Sequence, residues 1–328
     1  MKALLRVAAF VALGIAPATA QANGRFPAAF QLVEDQADPA HLLVQVTYGL
    51  MSTRDAGGSW GWTCEKAIGY LGEVDPPIAI AEGGVAFAAL FDGITRSSAD
   101  GCDWGFVGGG PAGRYAVDVS THKGDLRDVV VLTSDGIDNN VFDTRLFRSS
   151  DAGATFEQVN QELPPALVAV TVDIAPSNPS RIYITGLVAL GDGVYEGALG
   201  RSDDGGATFE LVSIDGSAND SAPYLAAVDP LDPDVLYVRL AGQAAVLLRS
   251  ADAGASFETI FEGEGSLLGF ALSPDGESIV LGGDAIPLQR GPAEGGAFEK
   301  VSEVLPLCLT WTTSGIYACG RETAERCV

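Results

Sequence analysis

Lysine is nearly missing from this chain. Four occur in 328 residues, and 19 Lys and Arg together stand against 43 Asp and Glu. The formal net charge is −24, or −26 once Lys2 and Arg6 are set aside. Nucleic acid and anionic membrane are both gripped through Lys and Arg, so this deficit disfavours them as partners. Histidine is as scarce: His41 and His122 both fall in stretches that read as turns, which leaves a catalytic thiol without its usual base. The five cysteines show no C-x2-C pair, so no zinc pattern is present. Long helical periodicity is absent. The apolar run Val7–Ile15 is well short of the roughly 18 residues that a membrane span needs, and no later stretch reads as one.

What that short run does fit is export. Lys2 and Arg6 form a positive n-region, Val7–Ile15 an apolar h-region, and Ala18-Thr19-Ala20 an A-x-A cleavage signal. Residues 1–20 are therefore expected to be a signal peptide. The mature chain starts near Gln21 and is secreted to the periplasm or the extracellular space, where disulfides are permitted.

What the chain has in abundance is one phrase. Arg201-Ser-Asp-Asp-Gly-Gly-Ala-Thr-Phe209 is closely copied at 148–156 and 249–257, and again from Thr53 to Trp60. Worn copies lie at 96–104 and 290–298. The aromatic residues that end the six copies are 41 to 53 residues apart. The pattern is Ser/Thr-x-Asp-x-Gly-x-Ser/Thr-Phe/Trp. A short hydroxyl and a carboxylate bond backbone N–H groups a residue or two ahead and close a turn. Glycine permits positive φ, and the aromatic anchors the loop in an apolar layer. In the worn copies Ala99 and Ala293 replace the aspartate, with Asp100 and Glu294 one place later.

These copies resemble the Asp box, or BNR repeat, over residues 26 to about 320. In that family the box joins the third and fourth strands of a β-propeller blade. The resemblance implies an all-β propeller of four-stranded blades, at about 26–70, 76–110, 113–163, 166–214, 222–262 and 266–303, with residues 21–328 as one domain. A partial seventh blade follows at 305–328: Leu307–Trp311 and Gly315–Cys319 read as strands, and no seventh box comes after them. A seven-bladed plan with an unfinished last blade is the favoured architecture. Thr53, Asp55, Gly57, Trp60, Ser149, Asp151, Gly153, Phe156, Ser202, Asp204, Gly206, Phe209, Ser250, Asp252, Gly254 and Phe257 are then structural, because a catalytic residue need occur once and a turn must be rebuilt in every blade. The arginines that open boxes (Arg96, Arg148, Arg201, Arg249, Arg290) recur in the same way and are expected to pair with local carboxylates. The Glu after each Phe is expected to blunt an exposed edge strand.

Two disulfides are expected from this layout. Cys64, on the outer strand of blade one, and Cys102, in the box loop of blade two, share the outer rim. Cys308 and Cys319 flank a turn at Thr313-Ser314. Cys327 is left over.

The family includes sialidases and other glycoside hydrolases, sortilin-type receptor propellers, photosystem assembly factors and secreted proteins without assigned activity. A sialidase needs an arginine triad, a Tyr nucleophile with a Glu partner, and an acid Asp. It also carries a Phe/Tyr-Arg-Ile-Pro motif, against which Gly24-Arg-Phe-Pro27 has the wrong order. The inner strands expected to line the channel are mostly small and apolar. The preferred reading is a monomeric, non-catalytic exported propeller that presents loops to a protein or glycan. The alternative is a glycoside hydrolase on the same fold.

The binding loops are placed by repeat length. The two longest periods contain additions at 134–143 and 189–196, on adjacent blades and at the end opposite the boxes. Long loops on rigid scaffolds concentrate binding residues. The candidates are Asp135, Asp138, Asn139, Asn140, Asp143, Asp192, Tyr195 and Glu196. Asp135, Asp138 and Asp143 offer hard oxygen ligands to Ca²⁺, with a solvated acidic turn as the plainer reading. No other cofactor is called for.

Overall fold

Unbroken apolar runs such as Val85–Leu90 and Val129–Leu132 are buried on both faces, so each strand must be covered on two sides. A ring of radially stacked sheets meets that demand. The structure, a computed structural model, describes residues 26–71, 74–160 and 163–321, so the signal segment and Cys327 lie outside the described residues.

Six four-stranded antiparallel sheets follow one another, each a meander bonded in chain order. Blade one is β1 (Ala29–Asp35), β2 (Asp38–Val46), β3 (Gly49–Thr53) and β4 (Gly61–Thr63), followed by the four-residue helix α1 (Glu65–Ile68). Blade two is β5 (Ile78–Ala81), β6 (Val85–Leu90), β7 (Gly93–Ser97) and β8 (Trp104–Phe106). Blade three is β9 (Ala116–Thr121), β10 (Val129–Asp138), β11 (Val141–Ser149) and β12 (Glu157–Gln158). Blade four is β13 (Leu167–Ile174), β14 (Ile182–Gly191), β15 (Val194–Ser202) and β16 (Glu210–Ala218). Blade five is β17 (Pro223–Val228), β18 (Leu236–Leu240), β19 (Ala244–Ser250) and β20 (Glu258–Glu264). Blade six is β21 (Leu267–Leu272), β22 (Ser278–Gly283), β23 (Gln289–Pro292) and β24 (Glu299–Lys300). The meander puts the boxes at one end of the ring and the hairpins between second and third strands at the other.

A full seventh blade is not shown among the described residues. Among the described residues a two-stranded sheet, β25 (Cys308–Thr312) and β26 (Gly315–Cys319), stands where a seventh blade would. It packs Leu309 and Trp311 on Ala271 and Val280 of blade six, and Cys308 and Tyr317 on Leu42 and Val44 of blade one. Thr310 Oγ1 donates to the Leu32 carbonyl at 2.5 Å, and Ala29 N–H to the Gly320 carbonyl at 3.2 Å, which closes the ring.

The boxes close alike in blades one, three, four and five. In blade four Ser202 Oγ donates to Asp204 Oδ1 at 2.8 Å and accepts from the Gly206 amide at 2.8 Å. Asp204 then accepts from the Thr208 amide and hydroxyl at 2.9 and 2.7 Å. In blade two Asp100 stands in for the missing aspartate from the following position, accepting from Ser98 Oγ and from the Cys102 amide. The box glycine also has a long-range duty. A Cβ on Gly153, Gly206 or Gly254 would lie 2.2, 2.5 or 2.0 Å from Phe87, Leu146 or Leu199 of the preceding blade. At Gly57 the preceding position holds only the two-stranded sheet, and a Cβ would meet nothing closer than the Trp60 ring at 3.7 Å. For the same reason Trp60 stays 41% exposed, against the expectation of a buried anchor, whereas Phe156 is 7% exposed against Phe87.

The box arginines divide. Arg148 pairs with Asp128, and Arg201 and Arg249 reach Glu210 and Glu258 across the ladder at 2.8 and 3.0 Å. Arg96 instead donates to the Ala152 carbonyl in the next blade's box, and Arg290 stacks over Trp311.

Of the two expected disulfides, Cys308–Cys319 is formed between directly opposed residues with Cα atoms 5.1 Å apart. Cys64 and Cys102 are free, which corrects the rim staple. Thr63 pairs with Leu50, next to the start of β3, so Cys64 lies at the hairpin end, while Cys102 sits in a box loop at the other end.

Candidate functional site

The stretches at 134–143 and 189–196 are not loops. They lengthen two hairpins, with the ladder running to Asp138↔Val141 in blade three and Gly191↔Val194 in blade four. This register sets Asp135 directly opposite Asp143, a like-charge pair that destabilises a ladder unless neutralised. Arg114 neutralises it, with Nη2 at 2.7 Å from Asp135 Oδ2 and 3.1 Å from Asp143 Oδ2. Arg145 adds two bonds of 2.8 Å to Asp143, whose carboxyl the two guanidinium groups, Arg145 foremost, hold below its ordinary value. The segment Ser-Asp-Gly-Ile-Asp-Asn-Asn reads as a turn because the clamp that straightens it starts 20 residues earlier.

These contacts bear on calcium. Asp135 and Asp143 face Arg114, and Asp138 Oδ1 accepts from the Asn139 amide at the exposed tip. Among the described residues no group of three His, Cys, Asp or Glu side chains is gathered so that it could hold a metal ion.

The two hairpins do stand side by side. Tyr195 Oη donates to Asn140 Oδ1 at 2.9 Å. The Tyr195 amide donates to Asn219 Oδ1 at 2.8 Å, and Asn219 Nδ2 returns a bond to the Gly193 carbonyl at 2.6 Å. Glu196 pairs with Ala218 at the end of β16. Asn139 and Asp192 stay exposed at the tips. The result is a wall two hairpins wide, braced by an outer strand.

Apolar side chains collect on this end. Ile137, Val141, Leu190 and Val194 are exposed on the wall. In blades one and two Tyr48 meets Trp62 edge to face, and Phe91, 55% exposed, stacks on Tyr115 with centroids 4.6 Å apart. Surface hydrophobes scattered singly need no explanation; here they recur at one end of four consecutive blades.

The inner strands line the box-end half of the channel mostly with small and apolar side chains, as expected, around a cavity of about 550 Å³ into which Gln31, Glu34, Asp118, Ser120, Lys123 and Asp173 also set polar groups. Burial pushes Asp118 up to about 7 and also raises Asp173. The polar side chains on these strands lace neighbouring blades. Gln31 bonds both the amide and the carbonyl of Ile78, Asp118 Oδ2 accepts from the Val172 amide at 2.8 Å, and Thr171 Oγ1 accepts from the Leu225 amide at 3.0 Å. Asp118 and Asp173 lie on the inner strands β9 and β13 among mostly apolar neighbours. Alternation along a single strand does not reveal that a carboxylate will meet an amide of the next blade.

No protein-family model matches the chain, and no curated protein does either. The Asp-box resemblance therefore rests on the chain's own residues. Among solved structures the chain is similar to YCF48 from Cyanidioschyzon merolae, at 13% identity and a TM-score of 0.63, over 91% of this chain and 94% of that one. A second YCF48 structure, bound to a D1 peptide, gives 14% and 0.59 over 90% and 91%. The extracellular domain of BT4673 from B. thetaiotaomicron gives 11% and 0.61, where this chain spans 38% of the other. A GH74 xyloglucanase from Xanthomonas campestris gives 13% and 0.46, with 59% of its length spanned. At these identities the likeness is one of fold. No helix among the described residues is long and apolar enough to cross a membrane.

Proposed function

We propose that the protein is an exported, non-catalytic propeller whose hairpin end docks a segment of another protein. The observation that carries this reading is the wall joined by Tyr195 and Asn140, with Ile137, Val141, Leu190 and Val194 exposed on it. An apolar, rigid, projecting surface gains by removing its area from water. Export is supported by the Cys308–Cys319 disulfide, which persists in oxidising compartments. A structural neighbour of similar size, YCF48, has been solved bound to a peptide, which agrees with a polypeptide ligand.

Hydrolysis of glycosides has less support. Arg148, Arg201 and Arg249 are spent on carboxylates at the box end, and Arg114 on Asp135 and Asp143. Asp118 has the raised pKa of a general acid, yet both of its oxygens already accept backbone amides, of Val119 and Val172.

A photoreactive amino acid placed at Leu190, on the wall, and at Leu231, on an exposed box-end turn, tests the reading in the native exported fraction. Cross-links to a discrete protein at Leu190 and not at Leu231 are expected. Equal labelling at both sites, or release of sugar from a glycoside panel by the pure protein, would overturn it.

A further inference from the structure

Arg239 lies at the hairpin end, away from the arginines of the boxes. It lies on β18 opposite Tyr224 of β17, one step from the hairpin end of the strand. Its guanidinium stacks on the Tyr224 ring, 4.5 Å from the centroid, and Nη1 donates to the carbonyl of Leu267, the first residue of β21 in blade six, at 3.1 Å. In a chain with 43 acidic residues, no carboxylate pairs with it among the described residues. Asp284, on the neighbouring turn, accepts from the Ser266 amide at 2.7 Å instead. A half-buried cation without a counter-charge is costly, and that burial pushes this guanidinium's pKa down.

Other donors at the same mouth of the channel lack acceptors too. Nε and Nη2 of Arg239 and the hydroxyls of Tyr224 and Tyr115 have no hydrogen-bond partner among the described residues. Tyr115 precedes β9 and Tyr224 lies near the start of β17, so both stand at the hairpin-end tips of inner strands. This mouth is continuous with the wall. From Tyr195 the contacts run through Asn219 to the turn at Gly242, which lies against the Asp220 carbonyl, and on to Ser266, whose hydroxyl bonds the Gly242 carbonyl at 2.8 Å.

We propose that Arg239, with the Tyr224 hydroxyl, binds the carboxylate of an acidic side chain on the polypeptide that docks at the hairpin end; this rests on the docking reading above. A planar guanidinium fork matches a carboxylate with two parallel bonds, and a phenol hydroxyl serves a remaining lone pair. The Phe91–Tyr115 stack beside the mouth favours a segment in which one acid is set among apolar residues. The chain's net charge of −24 repels an acid-rich one.

A peptide array tests this when every acidic peptide is printed beside its Asn or Gln counterpart and probed with the purified mature protein. The acidic member of each bound pair should bind about ten-fold more tightly, and Arg239→Gln should bind both members equally. If Arg239→Gln does not fold, Arg239→Lys carries the test: it keeps the charge, loses the fork, and should lose most of the preference. Equal binding of both members by the wild type would overturn the carboxylate site and leave the docking reading standing. Binding to acidic sugars on a glycan array, with no peptide bound, would overturn both.

Discussion

Tyr195 donates from its phenol to the Asn140 carboxamide across 2.9 Å, and through that bond the hairpins of blades three and four stand as one wall. Each hairpin alone extends its ladder past the body of its blade and would fray at the tip. Joined, each supplies the other with a side it lacks. Tyr195→Phe keeps the ring and removes the bond. Amides at 137–142 and 190–196 should then exchange about two- to ten-fold faster by hydrogen–deuterium exchange, the range a bond of about 0.5–1.5 kcal/mol implies, while global melting stays unchanged. Unaltered exchange at the tips would show that the hairpins stand independently.

The box glycines separate two causes. Gly57 and Gly206 have nearly the same φ, +94° and +96°, so an alanine is strained alike at both. Only at Gly206 does the added methyl collide with the preceding blade, at Leu146. Gly57→Ala should cost about 1 kcal/mol, and Gly206→Ala about 2–4 kcal/mol, by urea denaturation. Equal costs would mean that backbone strain alone keeps glycine in the box.

Ser202 is 1% exposed and its hydroxyl is the acceptor for the buried Gly206 amide. Ser202→Ala leaves that amide without a partner and should cost about 1–3 kcal/mol, with cross-linking at Leu190 retained. Native stability with lost cross-linking would make the box a working element of the binding site.

Stability should change with pH in two opposite limbs. Asp55, Asp151 and Asp204 are held at about 2 by hydroxyl and amide donors inside the box. Their contribution is present above the unfolded carboxylate value near 3.9 and is lost as pH falls through about 2. Asp118 is pushed up to about 7, chiefly by burial. Its contribution is fully present below about 3.9 and is lost as pH rises through about 7. Melting temperature should therefore fall between about pH 4 and 7, and Asp118→Asn should flatten that fall while keeping the acid limb. An unchanged slope in the variant would assign the fall to another group.

The free and bonded cysteines are open to a direct test. Alkylation of the native oxidised protein should label Cys102 and then Cys64, and leave Cys308 and Cys319 linked on peptide mapping. Replacing both Cys308 and Cys319 by Ser should cost about 3 kcal/mol, given a closed loop of about a dozen residues. Recovery of a Cys64–Cys102 peptide would contradict the placement of those residues at opposite ends.

The nine residues of a box are enough to determine its turn. Ser202, Asp204, Gly206 and Thr208 complete one another's hydrogen bonds within a short span of chain, so the same letters build the same structure wherever they recur, and six recurrences specify a ring of sheets. The place of the long hairpins, at the end away from the boxes, follows from the same period. What the ring decides is which distant groups meet. Arg114 straightens two hairpin strands by holding Asp135 and Asp143, Asp118 finds the amide of Val172 54 residues away, and Arg239 is left without a counter-charge beside Tyr224. Cys64 and Cys102 come to lie at opposite ends, although one closely follows a box and the other sits inside one. A hydrogen bond or ion pair forms only when two groups arrive within about 3 Å, and for groups in different blades that distance depends on how whole sheets are stacked.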